Sequence, residues 1–115
     1  MEMNEYIFNG SSRVRVVVVN GEPRWIATDV CRALEIGNPR EACARLDEDE
    51  VTVISTDGAP PAGFNAVTES GLYSLILGSR KPQAKAFKRW ITHEVLPAIR
   101  RKGFYAVQGE KAPDF

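Results

Sequence analysis

Eight basic side chains crowd the stretch from residue 80 to residue 102: Arg80, Lys81, Lys85, Lys88, Arg89, Arg100, Arg101 and Lys102, against one carboxylate, Glu94. The chain as a whole is formally neutral, so this stretch holds a surplus of seven positive charges that the remainder cancels. A row of ammonium and guanidinium groups does one kind of chemistry well. It replaces the counterions of a polyanion, and a nucleic-acid backbone is the densest polyanion in a cell. Placed on a helix, Lys81, Lys85, Lys88 and Arg89 fall within about 100° of one another. Phe87, Trp90 and Ile91 then point elsewhere. The bland alternative is a solvated helix face, with Arg100 to Lys102 complementing a helix C-terminus.

Negative charge is segregated too. Asp47-Glu48-Asp49-Glu50 is a solid acidic run. It is expected as a solvated loop, with three functional alternatives: mimicry of DNA, docking on a basic protein such as a repressor, or pairing with the basic helix of a second copy, which would favour a homodimer. Just before it, residues 29 to 46 suggest helix, turn, helix. That arrangement would let Arg40 and Arg45 reach base edges in a major groove. The neighbouring acids oppose it, and two core helices joined by a turn are the simpler expectation.

Residues suited to catalysis are sparse. His93 has no evident local partner beyond Glu94. Cys31 and Cys43 are too few for a disulfide scaffold or a structural zinc site, and nothing supports a dyad of either with His93. Gly78-Ser79-Arg80-Lys81 lacks the frame of a phosphate loop, and Ser70-Gly71 suits a helix start better than a nucleophile elbow. Trp25, Tyr73, Phe87 and Trp90 sit at positions that favour core packing over stacking on bases; Tyr105, near the basic terminus, stays open. The expectation is a non-enzymatic protein without cofactor or metal.

The elements that must position these groups follow from pattern. Arg13 to Val19 is β-branched and suggests a strand. Asn20-Gly21 suits a two-residue turn, and Arg24 to Ala27 returns as its partner. Thr28 is a candidate cap for a helix over about Asp29 to Ile36, with Asp29 in the first turn and Gly37 as the left-handed terminator. Asn38-Pro39-Arg40-Glu41 starts a second helix that runs to about Asp47. Strands are expected over residues 51 to 55 and 64 to 67. Thr68 caps a third helix through Leu77. The last helix starts near Pro82, should kink or restart at Pro97, and closes at Gly103. Residues 106 to 115 suggest a polar tail or the start of a linker.

With 115 residues and 43% apolar content, one α+β domain over residues 1 to 105 is expected: a small antiparallel sheet with an N-terminal β-hairpin, packed with four or more helices. No apolar run approaches the roughly 20 residues of a membrane span, and Met1 to Glu5 is too polar for a secretory signal, so a cytoplasmic protein is expected.

The segments WIATDVCRALEIGNP (residues 25 to 39) and GLYSLILGSRKPQAKAFKRWITHEVLPAIRRKG (residues 71 to 103) carry a resemblance. In this order, and over roughly Phe8 to Tyr105, they resemble the Bro-N domain, the amino-terminal domain of BRO-family viral and prophage proteins. The resemblance implies binding of double-stranded DNA and an antirepressor role in transcription regulation within the host cell, at the nucleoid when DNA-bound. It also implies that a further carboxy-terminal domain often follows; a function residing there would lie beyond the matched region.

Overall fold

The computed structural model describes residues 2–55 and 58–101. Lys102, Gly103, Tyr105 and the expected tail lie outside the described residues.

The structure is a five-stranded antiparallel sheet in the order β1-β2-β3-β5-β4, with helices against one face. Strand β2 (Ser12–Val19) is the β-branched run, and β3 (Glu22–Ile26) returns beside it, with Val19 opposite Glu22. Asn20 and Gly21 between them have φ of 54° and 82°, the doubly positive pair that a type I′ turn requires. β1 (Glu2–Phe8), whose first residues are polar and acidic, is a strand beyond those expected. It is an edge strand paired along its length with β2, and its turn uses a second Asn-Gly pair, Asn9 and Gly10, with φ of 57° and 78°. That dipeptide is the signal by which it was legible.

β3 runs directly into helix α1 (Ala27–Ala33). Thr28 is therefore not the cap: Ile26 holds that position without a side-chain bond, and Thr28 already lies in the first turn. Gly37 is not the terminator either. The helix ends on a Schellman motif in which Ile36 N–H donates to Cys31 O and Glu35 N–H to Arg32 O, with Glu35 itself at φ 58°. Helix α2 (Pro39–Ala44) begins as expected, with Glu41 N–H donating to Asn38 Oδ1 at 3.1 Å. It stops short of Asp47 because Leu46 N–H donates to Cys43 O three residues back, tightening the last turn.

β4 (Val51–Ile54) and β5 (Phe64–Val67) form a third hairpin. Helix α3 (Glu69–Gly78) follows, its first turn capped by Gly71 N–H donating to Thr68 Oγ1. Helix α4 (Gln83–Trp90), a π-helical turn (Ile91–Val95) and helix α5 (Leu96–Arg101) complete the described chain. The main core gathers Val14, Val16 and Trp25 from the sheet with Val30, Leu34, Leu72, Phe87, Ile91 and Ile99 from the helices. Val17, Ile26, Ile54 and Ala66 form a second, smaller cluster on the other sheet face. Cys31 and Cys43 are both buried free thiols.

Candidate nucleic-acid interface

The cationic segment is anchored from the apolar side. Ala84 and Phe87 are buried, and Phe8 at the end of β1 packs edge-on against Phe87, with ring centroids 5.1 Å apart. Trp90 closes the cluster at 5.2 Å from Phe8 and 5.6 Å from Phe87. The hairpin thus fixes α4 in rotation as well as position.

On an uninterrupted α-helix, the buried set Val95, Leu96 and Ile99 would lie about 90° away from Ala84, Phe87 and Ile91. The π turn removes that mismatch. It absorbs one extra residue, a rotation of about 100°, and returns both sets to one core-facing stripe. The basic residues turn with it. Lys85, Lys88, Arg89, Arg100 and Arg101 fall within an arc of about 120° on the same flank, over a helix length of about 24 Å. The expected break at Pro97 takes this form, with the wide turn just ahead of the proline. Two side chains take up carbonyls there. Thr92 Oγ1 donates to Lys88 O at 3.0 Å, and His93 Nδ1 lies 3.0 Å from Arg89 O and 3.0 Å from Thr92 Oγ1. His93 is therefore a local backbone partner, contrary to the expectation that only Glu94 stood near it.

All seven described members of the basic set are exposed. Among the described residues, no carboxylate lies within ion-pair distance of Arg80, Lys85, Lys88, Arg89 or Arg101. Lys81 Nζ is 3.9 Å from Glu35 Oε1, at the limit of such a contact. The sheet's arginines behave differently: Arg13 pairs with Glu5 at 3.5 Å and Arg24 with Glu22 at 3.3 Å. Uncompensated positive charge is thus concentrated on α4 and its flanks.

Arg40 is exposed on a six-residue helix and Arg45 is exposed at its C-terminal cap, an element too short to lie far along a groove. Arg45 Nη1 is 4.0 Å from Glu41 Oε2, again at the limit of an ion pair. The acidic run is not a plain loop. Glu48–Glu50 form a 3-10 turn, in which Glu50 accepts from the Asp47 amide at 3.1 Å and from Ser70 Oγ at 2.9 Å. Glu50 is therefore structural, while Asp47, Glu48 and Asp49 face solvent.

Sequence reasoning missed two features. Asp29, assigned to the helix dipole, is fully buried and holds Arg15 by its amide and guanidinium. Burial pushes its carboxyl up, but the bonds from Arg15 and then Arg32 outweigh that and hold it below the ordinary value. The second is a groove of about 500 Å³ between the β1–β2 turn and the last helix, with Ile7, Phe8 and Asn9 on one wall and Ala86, Arg89, Trp90, His93 and Glu94 on the other. Trp25, Phe87 and Trp90 do pack in or on the core, as expected.

Nucleophiles fare poorly. Burial pushes the Cys31 thiol up to about 11, with Cys43 adding to it, and raises Cys43 as well. No group of three His, Cys, Asp or Glu side chains suited to a metal ion occurs among the described residues. No helix of the described residues is long and apolar enough to cross a membrane.

These features define a class: a small α+β domain whose distinctive chemistry is a cationic helix flank on an exposed surface. Comparison with known sequences gives the family. Residues 13–97 match the model of the BRO family, N-terminal domain, and the chain belongs to that family. It is similar to an uncharacterized protein of Haemophilus influenzae, 37% identical over 101 residues, covering 85% of this chain and 50% of that protein. It is also similar to a protein of Invertebrate iridescent virus 6 named for its Bro-N domain, 289L, at 26% identity over 120 residues, covering 87% of this chain and 29% of the viral protein. A second protein of that virus, 201R, also named for a Bro-N domain, matches at 38% over 42 residues, 36% of this chain and 10% of its own length. The chain thus spans half or less of the relatives it matches. No solved structure matches it at a significant level.

Proposed function

We propose that this chain is a DNA-binding domain of a phage or prophage antirepressor-type regulator of transcription, acting without catalysis in the host cytoplasm. The observation that carries this reading is the row of exposed cations, Lys85, Lys88, Arg89 and Arg101, on one helix flank with no carboxylate in ion-pair reach among the described residues. A flank of about 24 Å passes about four phosphates along one strand of duplex DNA, so about four contacts fit its length. Phosphate contacts of this kind give affinity and orientation, not sequence. Membership of a family with virus-encoded relatives supports the regulatory setting. Fluorescence anisotropy with labelled duplexes at about 50 mM salt tests the reading. Saturable binding supports it, and the absence of binding to any duplex refutes it.

A second reading rests on Asp47, Glu48 and Asp49, which are exposed with no cation in ion-pair reach among the described residues. They suit a basic face on a repressor that the domain would inactivate without touching DNA. Capture of a purified cognate repressor that survives nuclease and is lost on converting these three to Asn, Gln and Asn would favour it.

A further inference from the structure

We infer that the β1–β2 turn, residues 8–12, is the part of this domain that contacts base edges, beside the helix flank that holds the phosphates. This rests on the DNA-binding reading and assigns the readout that reading leaves open.

Position comes first. The turn forms one wall of the groove whose other wall includes Arg89, so Asn9 and a member of the cationic flank border the same space. The turn does not wander relative to the helix, because Phe8 is packed against both Phe87 and Trp90. A contact made by Asn9 is therefore held in fixed register with a phosphate held by Arg89.

The chemistry of the turn is suited to bases. Asn9 and Ser11 are exposed and uncharged, and each offers donor and acceptor atoms. An Asn amide matches the paired donor and acceptor of adenine in the major groove. Gly10 has open space where a Cβ would stand, which lets the backbone approach a ligand closely. Ile7 is 52% exposed beside them, an apolar surface suited to a thymine methyl. Glu5, the carboxylate on this hairpin nearest the turn, is paired with Arg13. Among the groove's lining residues Glu94 is the one carboxylate. A two-stranded ribbon fits a major groove.

Helix α2 offers less. Arg45, at its C-terminal cap, has Glu41 at 4.0 Å, the limit of an ion pair, and Asp47, Glu48 and Asp49 follow at the surface. Those carboxylates would be driven against phosphate if α2 entered a groove.

The test uses the intact chain with one introduced thiol carrying an iron chelate that cleaves nearby strands. Cys31 and Cys43 are buried, so the reagent is directed to the introduced site. Ser11→Cys should cleave bound duplex at a localised set of positions, and Glu48→Cys, the control, should not. Anisotropy run in parallel separates the two readings. Duplex binding without localised cleavage from position 11, or with equal cleavage from both positions, overturns the assignment of the turn and leaves DNA binding intact. No binding by the unmodified protein removes both. Asn9→Gly gives an independent readout, since glycine keeps the positive φ and loses only the amide. It should reduce the preference for a duplex selected from a random pool over unselected duplex by about tenfold, with the salt dependence unchanged. An undiminished preference rules out readout by Asn9.

Discussion

Asp29 accepts three hydrogen bonds from Arg15: from the backbone amide at 2.9 Å, from Nε at 2.8 Å and from Nη2 at 3.0 Å. The carboxylate thus satisfies a strand and its side chain at once. β3 ends at Ile26, and α1 brings Asp29 against β2 beyond the last β2–β3 pair, Val16 with Trp25. On the other side, the Arg15 guanidinium lies 4.7 Å above the Phe64 ring, which ties β5 into the same junction.

Asp29→Ala should destabilise the domain by about 3–5 kcal/mol, because it leaves a largely buried guanidinium and an amide without their acceptor. Urea denaturation measures this. Loss of under about 1 kcal/mol would mean that solvent replaces the carboxylate freely.

The same pair fixes a pH dependence. The folded Asp29 carboxyl is held below its ordinary value near 3.8, so its contribution is present above that value and is lost as pH falls through the lower folded one. The stability gap between wild type and Asp29→Asn should therefore be constant from neutrality to about pH 5 and narrow below about pH 4. A gap that widens on acidification would reverse the sign argued here.

Neutralising Lys85, Lys88 and Arg89 together to Gln should weaken binding to all duplexes alike. The wild-type log–log salt slope should be about −4, and the triple variant's about two to three units shallower. Titrations across a salt series measure both. An unchanged slope would place the phosphate contacts on another face.

Inserting one alanine after Glu94 should rotate α5 by a further 100° or so, carrying Ile99 out of the core, Ala98 into its place and Arg101 toward it. A loss of about 3 kcal/mol or more is expected from the thermal melt. Pro97→Ala should change stability by no more than about 1 kcal/mol if core packing, not the proline, sets the π turn. Equal damage from both would assign the wide turn to the proline.

Glu35→Gly should stabilise the domain by about 0.5–1 kcal/mol, since Glu35 sits at φ 58° at a position glycine fills without strain. Gly37→Ala should be close to neutral, because its site is open and its φ is not in the left-handed range. Damage at Gly37 with no gain at Glu35 would restore Gly37 as the terminator.

Much of this domain is written locally. The Asn20-Gly21 turn, the Asn38 and Thr68 caps and the strand from Phe64 to Val67 follow from short-range sterics and hydrogen bonding, which neighbours in sequence can specify. The crowding of cations after Arg80 is likewise a property of the chain alone. The tertiary structure decided what distance along the chain does not encode. It paired residues 2–8 along their length with β2, a partner that the Asn9-Gly10 turn alone does not fix. It converted Asp29 from a first-turn acid into a buried acceptor for Arg15. It placed Arg100 and Arg101 on the flank of Lys88 and Arg89, because two apolar sets of different helical phase had to meet one core, and the π turn reconciled them. Side-chain type is local, but a shared face is set by what the opposite side must bury.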